Sequence, residues 1–169
     1  MVTSEAARAE TAAFLLLDVA GVPCALPRAA VSEILPLPTL FRPPAVGPLL
    51  AGFLNLGGAA VPVVDLARLF GLREEPVEPG PYAHLVLGAD RTTAYLVDRV
   101  SDLVTVEARA IGPVSGAETL NGCVEAEISL GERLVHALSP ARILTAEERG
   151  RLDALARAAQ ERLAALPVA

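Results

Sequence analysis

The longest uncharged run in the chain covers 22 residues, Pro43 to Val64, between Arg42 and Asp65, and it excludes one whole class of fold. A helix of about 20 apolar residues spans a bilayer core, so length alone would allow a membrane segment. Pro43, Pro44, Pro48 and Pro62 interrupt the run, together with Gly47, Gly52, Gly57 and Gly58. Backbone in lipid must satisfy its hydrogen bonds internally, and a segment broken this often cannot do so as a helix. The apolar side chains behind the 53% hydrophobic content and mean hydropathy of +0.47 are therefore expected to be buried inside a soluble globular protein. A chain of 169 residues suits one domain of ordinary size.

Charge narrows the partners. All 14 basic residues are arginines, set against 20 acidic ones, and the net charge of -6 opposes a nucleic-acid surface. The N-terminus shows Glu5 and Glu10 where an export signal would be basic and then apolar, so a cytoplasmic protein is expected. Cys24 and Cys123 are too few for a disulfide framework and read as small buried hydrophobes.

Residues 1–11 are Ala-rich and charged without an apolar period, and are expected to form a flexible leader. Strand candidates follow in pairs. Ala13–Val19 and Val22–Leu26 flank Ala20-Gly21, and Leu49–Leu56 and Ala59–Val64 flank Gly57-Gly58. Tyr82–Leu87 pairs with Thr92–Val97, Val100–Val106 continues, and Gly122–Ile128 pairs with Arg133–Leu138. Gly-Gly between apolar runs is a hairpin signal, because both turn positions can take positive φ. Arg28–Ile34 and Pro140–Leu144 are expected as short helical turns, and Leu66–Phe70 as a short helix capped by Asp65 and ended by Gly71. Arg73–Pro81 reads as a solvated loop. Short strands at this spacing predict a sandwich or barrel rather than a parallel sheet. The tail differs: Thr145 and Glu148 fit a capping box, and Leu152, Leu155, Ala159, Leu163 and Leu166 recur on one face. That pattern predicts an amphipathic helix packed on its own domain.

No catalytic constellation emerges. His84 and His136 each stand alone among apolar neighbours, short of the several ligands that a metal site needs. Neither cysteine has the electropositive surroundings that activate a thiolate. No Gly-x-Ser-x-Gly elbow occurs, and the Gly52–Gly58 stretch lacks the Lys-Ser/Thr ending of a phosphate loop. Glu74-Glu75 falls in a link and Glu147-Glu148 in a first helical turn, where the macrodipole accounts for it.

The ordering of Gly52-Phe53-Leu54-Asn55-Leu56-Gly57-Gly58, Val61-Pro62-Val63-Val64-Asp65-Leu66 and Leu69-Phe70-Gly71-Leu72 resembles the CheW family, the coupling proteins of bacterial chemosensory arrays. Val31–Ile34 looks like that family's early short helix and Pro43-Pro44-Ala45 like its proline loop. Leu96–Leu103 resembles its second-half strand, and Leu120–Val124, Leu134–Leu144 and Glu147-Glu148 its C-terminal part. The likeness covers Ala13 to Gln160.

This resemblance implies a mainly all-β fold of two intertwined five-stranded SH3-like barrels with an apolar groove between them. The double barrel would take residues 12–145, with the tail helix in 146–169. It implies no catalysis, no cofactor and no metal. It also implies an adaptor joining the hairpin tip of a methyl-accepting chemoreceptor to the regulatory domain of a CheA-type histidine kinase, associated with receptor arrays in the cytoplasm. Val31, Gly52, Asn55, Leu56, Gly57 and Gly58 would correspond to the receptor-facing surface, and Val97, Asp98 and Val100 to the kinase and array contacts. Each also has a structural reading: turns for the glycines, a backbone bond for Asn55, core for the valines. The family usually has Arg where this chain has Gly57, so either the partners differ or Arg42 or Arg99 substitutes. Ser139-Pro140 also departs, where an acidic residue is more usual. A different reading of the same barrel is a sensory protein that binds a small ligand.

Overall fold

Short strands, several of them buried on both faces, build most of the molecule. In the computed structural model, which describes residues 10–44, 47–75, 78–114 and 119–165, eleven strands form two sheets. The leader expected over residues 1–11 lies almost wholly outside the described residues, as does Leu166. Strands β1 (Thr11–Val19) and β2 (Val22–Pro27) open the chain as a hairpin. A 3-10 turn over Arg28–Ala30 then leads into β3 (Val31–Pro36). Next come β4 (Leu50–Leu56), β5 (Ala59–Asp65), a single helical turn α1 (Leu66–Leu69), β6 (His84–Gly88) and β7 (Ala94–Val97). The second half holds β8 (Arg99–Glu107), β9 (Ile111–Gly112), β10 (Val124–Leu130), β11 (Arg133–Leu138) and the tail helix α2 (Ala146–Ala165).

One sheet is ordered β8-β1-β2-β11-β10-β9 and the other β3-β6-β7-β5-β4. The chain leaves the first sheet after β2, builds the whole second sheet, and returns at β8. The first sheet is thus made of both ends of the domain. The all-β, two-lobed architecture stands, with six strands in one lobe and five in the other. Two pairings are parallel, β11 with β2 and β5 with β7, so the sheets are mixed.

Two helical expectations are corrected. The helical turn expected over Arg28–Ile34 ends at Ala30, and Val31–Ile34 is extended because β3 pairs antiparallel with β6, with a bulge between Val31 and Glu33. Ser32 and Glu33 there reflect an edge strand with exposed side chains. Pro140–Leu144 is a turn and bend, held by the Arg142 and Ile143 N–H groups donating to the Ser139 carbonyl.

Three apolar clusters fill the fold. Phe14, Ala25, Val106, Ile128, Val135 and Ala137 lie within the six-stranded sheet. Leu54, Val61, Val63, Leu85, Leu87 and Ala94 lie within the five-stranded sheet. The largest cluster joins them: Leu17, Val19 and Cys24 from one sheet meet Phe53, Val64, Val86 and Val97 from the other, and Leu152 and Ala159 of α2 close over them. Where α2 crosses the five-stranded sheet, a largely apolar cavity of about 470 Å³ opens to solvent, lined by Pro48, Leu49, Leu50, Val64, Leu152 and Leu155, with Glu148 and Arg151 also in its wall.

Helix α2 starts as its sequence predicts. The Glu148 N–H donates to Thr145 Oγ1 at 3.1 Å, and the Thr145 N–H donates to Glu148 Oε1 at 2.8 Å, a complete capping box. Asp65 caps α1 by accepting from the Arg68 N–H at 3.4 Å. Among the described residues no helix is long and apolar enough to cross a membrane.

Candidate functional site

The tip of the β4–β5 hairpin carries four of the residues singled out above. Its two-residue turn places Gly57 at φ 60° and Gly58 at φ 94°, the mirror-image turn that matches strand twist. Asn55 Oδ1 accepts from the Gly58 N–H at 2.8 Å and closes the turn locally. Asn55, Gly57 and Gly58 are exposed and Leu56 is half-buried, so these four form one accessible tip.

A side chain from the far end of the molecule holds that tip. Gln160 of α2 donates from Nε2 to the Gly58 carbonyl at 2.8 Å, and its Oε1 accepts from the Ala60 N–H at 2.7 Å. Gln160 is not among the residues singled out from the sequence. A usable signal was present, since it is the one uncharged polar side chain within α2 and directly follows the buried Ala159.

Gly52 and Val31 sit apart from the tip. Gly52 is buried under the segment Leu40–Arg42, where the Phe41 and Phe53 backbones exchange hydrogen bonds of 2.9 and 2.7 Å. A Cβ at Gly52 would lie 2.9 Å from the Phe41 carbonyl oxygen. Val31 is buried at the start of β3, on the opposite edge of the five-stranded sheet, opposite Gly88. Exposed Arg42 lies against Gly52, on the same edge as the tip. Arg99 instead stacks over the exposed Tyr82 ring, 5.1 Å from its centroid.

Val97, Asp98 and Val100 mark the crossing from one sheet to the other. Val97 is 1% exposed and belongs to the core between the lobes, while Val100 is half-buried against the same core. Asp98 binds three ways. Its N–H donates to the Asp18 carbonyl at 3.0 Å, its Oδ2 accepts from the Ala20 N–H at 2.9 Å, and both its oxygens receive Arg73 at 2.9 and 2.6 Å. Bidentate pairing raises the Arg73 pKa above its ordinary value, through the Asp98 hydrogen bonds first. Arg73, read in the sequence only as part of a loop, thus ties the end of α1 to the crossing.

The remaining chemistry-bearing residues do not converge. Burial pushes the Cys24 thiol up to about 12, aided by Cys123 and Asp18, and the Cys123 thiol up to about 11, so both are poor nucleophiles. They are free and buried. His84 Nδ1 lies 2.7 Å from the Tyr82 carbonyl oxygen, and buried His136 Nδ1 has no hydrogen-bond partner. Among the described residues no three His, Cys, Asp or Glu side chains are grouped to hold a metal ion. The arrangement offers a shaped surface: an exposed tip, an apolar cavity beside α2, and a tied crossing between lobes.

Comparison with known proteins accords with this geometry. The model of the CheW-like domain matches residues 13–148, four-fifths of the chain. The chain belongs to the CheW-like domain family. Among solved structures, the scaffolding protein TtCheW from Thermoanaerobacter tengcongensis is similar in fold, with a TM-score of 0.69 and 17% identity, over 77% of this chain and 90% of that one. No curated protein sequence matches it significantly. The CheW-like match covers every strand of both sheets apart from the first two residues of β1.

Proposed function

We propose that this CheW-like protein is a non-enzymatic scaffold of a chemosensory array that joins the cytoplasmic hairpin tip of a methyl-accepting chemoreceptor to the regulatory domain of a CheA-type kinase. The observation that carries the reading is the family match over residues 13–148, since members of this family act as chemotaxis scaffolds. The protein works in the cytoplasm at receptor arrays. In this reading Asn55, Leu56, Gly57 and Gly58 face the receptor, and Val31 and Gly52 shape that lobe from beneath. Asp98 and Val100 face the kinase or array partner, with Val97 supporting them from the core.

Binding rather than chemistry is the work such a surface performs. The exposed tip offers a shaped turn and the cavity beside α2 offers apolar area onto which a partner can dock. Co-sedimentation with membranes carrying a chemoreceptor and a CheA-type kinase tests the proposal directly. The chain is expected to pellet with the ternary assembly and to bind the isolated kinase regulatory domain. A purified, folded chain that does neither overturns the reading.

A further inference from the structure

The geometry points to Gln160 as a positioning residue through which α2 holds the β4–β5 hairpin tip in its binding shape, an inference that rests on the receptor-facing role proposed for that tip. A carboxamide that donates to the carbonyl of Gly58 and accepts from the N–H of Ala60 makes the two bonds that one residue of a parallel strand makes across a ladder. Those groups lie on the edge of β5 that faces β7, ahead of the first β5–β7 pairing at Val63 and Ala94. Gln160 therefore extends the ladder by one residue along an edge that β7 does not reach.

The tip needs such a brace. Two consecutive glycines give it the most freely rotating turn a chain can make. Its other side-chain bond is local, from the Gly58 N–H to Asn55, and the β4–β5 ladder that ends at Leu56 and Ala59 ties the two strands to each other rather than to the helix. Ala159, adjacent to Gln160, is 2% exposed within the core between the lobes, so the carboxamide is delivered from a fixed point. The backbone of Gly58 and Ala60 is thus anchored to a helix 100 residues away in sequence. A pre-ordered tip binds more tightly than a mobile one because less conformational freedom is lost on docking.

The test uses the full-length chain in three forms: the parent, Gln160→Ala, which removes both bonds, and Gln160→Glu, which keeps an acceptor for the Ala60 N–H but cannot donate to Gly58. Amide hydrogen exchange at Ala60 is expected to rise by roughly tenfold in Gln160→Ala, as for one lost edge hydrogen bond, and to stay near the parent rate in Gln160→Glu. Affinity for the soluble cytoplasmic hairpin fragment of a methyl-accepting chemoreceptor is expected to fall roughly fivefold in Gln160→Ala. That loss should shrink in a Gly57→Asn background, because Asn-Gly stiffens the same turn without help from the helix. A general loss of stability would not be rescued in that way.

Unchanged exchange at Ala60 overturns the clamp itself. Faster exchange with an unchanged affinity overturns the positioning role. If the parent chain does not bind the receptor fragment at all, the receptor-facing reading fails, and the exchange rates still decide whether α2 orders the hairpin.

Discussion

Gly52 answers a steric demand that no other residue meets. Its φ of 148° and the 2.9 Å approach of the Phe41 carbonyl oxygen leave no room for a methyl group. Gly52→Ala is expected to destabilise the fold by about 2 kcal/mol, within the cost of overpacking a closed site, as read by urea denaturation. Gly57 is the opposite case. No atom lies within 4 Å of a Cβ there, so Gly57→Arg meets strain only through its positive φ, a cost of about 1 kcal/mol. That substitution introduces the guanidinium that the family resemblance implies at this position. Receptor affinity is expected to rise, and an unchanged affinity would remove position 57 from the contact surface. The buried thiols give a pH dependence. Their folded pKa values lie above the ordinary 9.0, so their contribution to stability is complete below pH 9 and is lost as pH climbs toward the folded values of about 12 and 11. The urea midpoint should fall between pH 8 and pH 10.5, more gently in Cys24→Ala/Cys123→Ala. Tyr95, also raised by burial, leaves a residual slope. At this scale Asn55 was legible, since Asn closing a glycine turn is local chemistry. Arg73 and Gln160 were not, because their partners lie 25 and 100 residues away.

Among elements, those defined by their own turns could be read in the sequence. The hairpins at Ala20-Gly21, Gly57-Gly58 and Gly131 follow from turn residues between apolar runs, and the start of α2 follows from its capping box. Strand β3 could not, because its extended shape comes from pairing with β6, a segment 50 residues later whose register no local signal states. The parallel pairings of β2 with β11 and of β5 with β7 were hidden for the same reason. Helix α2 was legible as a helix, whereas its seat depended on the assembled core. Leu152, 7% exposed, is the larger of its two buried side chains, while Leu155 is only partly buried. Leu152→Ala is expected to cost about 3 kcal/mol and Leu155→Ala clearly less. Equal losses from the two, measured by thermal or chemical unfolding, would show that α2 does not seat on the face described here.

The molecule as a whole is two lobes that share more than they own. Each sheet has a cluster of six buried residues, whereas the cluster between them draws on both sheets, α1 and α2. Asp98 reinforces the join, since its carboxylate and backbone bind the β1–β2 turn of one lobe while Arg73 holds it from the α1 end of the other. The β4–β5 part of the uncharged run reaches this junction. Phe53 and Val64 face the common core, and Leu54, Val61 and Val63 face the five-stranded lobe. Its hydrophobicity is thereby divided between two interiors. Because hydrophobic stabilisation follows buried apolar area, neither lobe retains enough of it once the common core is opened to water. The five-stranded lobe is continuous in sequence and makes the sharpest test, as residues 31–97 contain all of its strands. Expressed alone, that fragment is expected to lack dispersed amide resonances and a cooperative thermal transition. The full chain should unfold in a single step, with amides of both sheets sharing one global opening free energy in native-state hydrogen exchange. A fragment 31–97 that folds cooperatively would mean that the lobes are independent units and that the core between them is an interface rather than a shared interior.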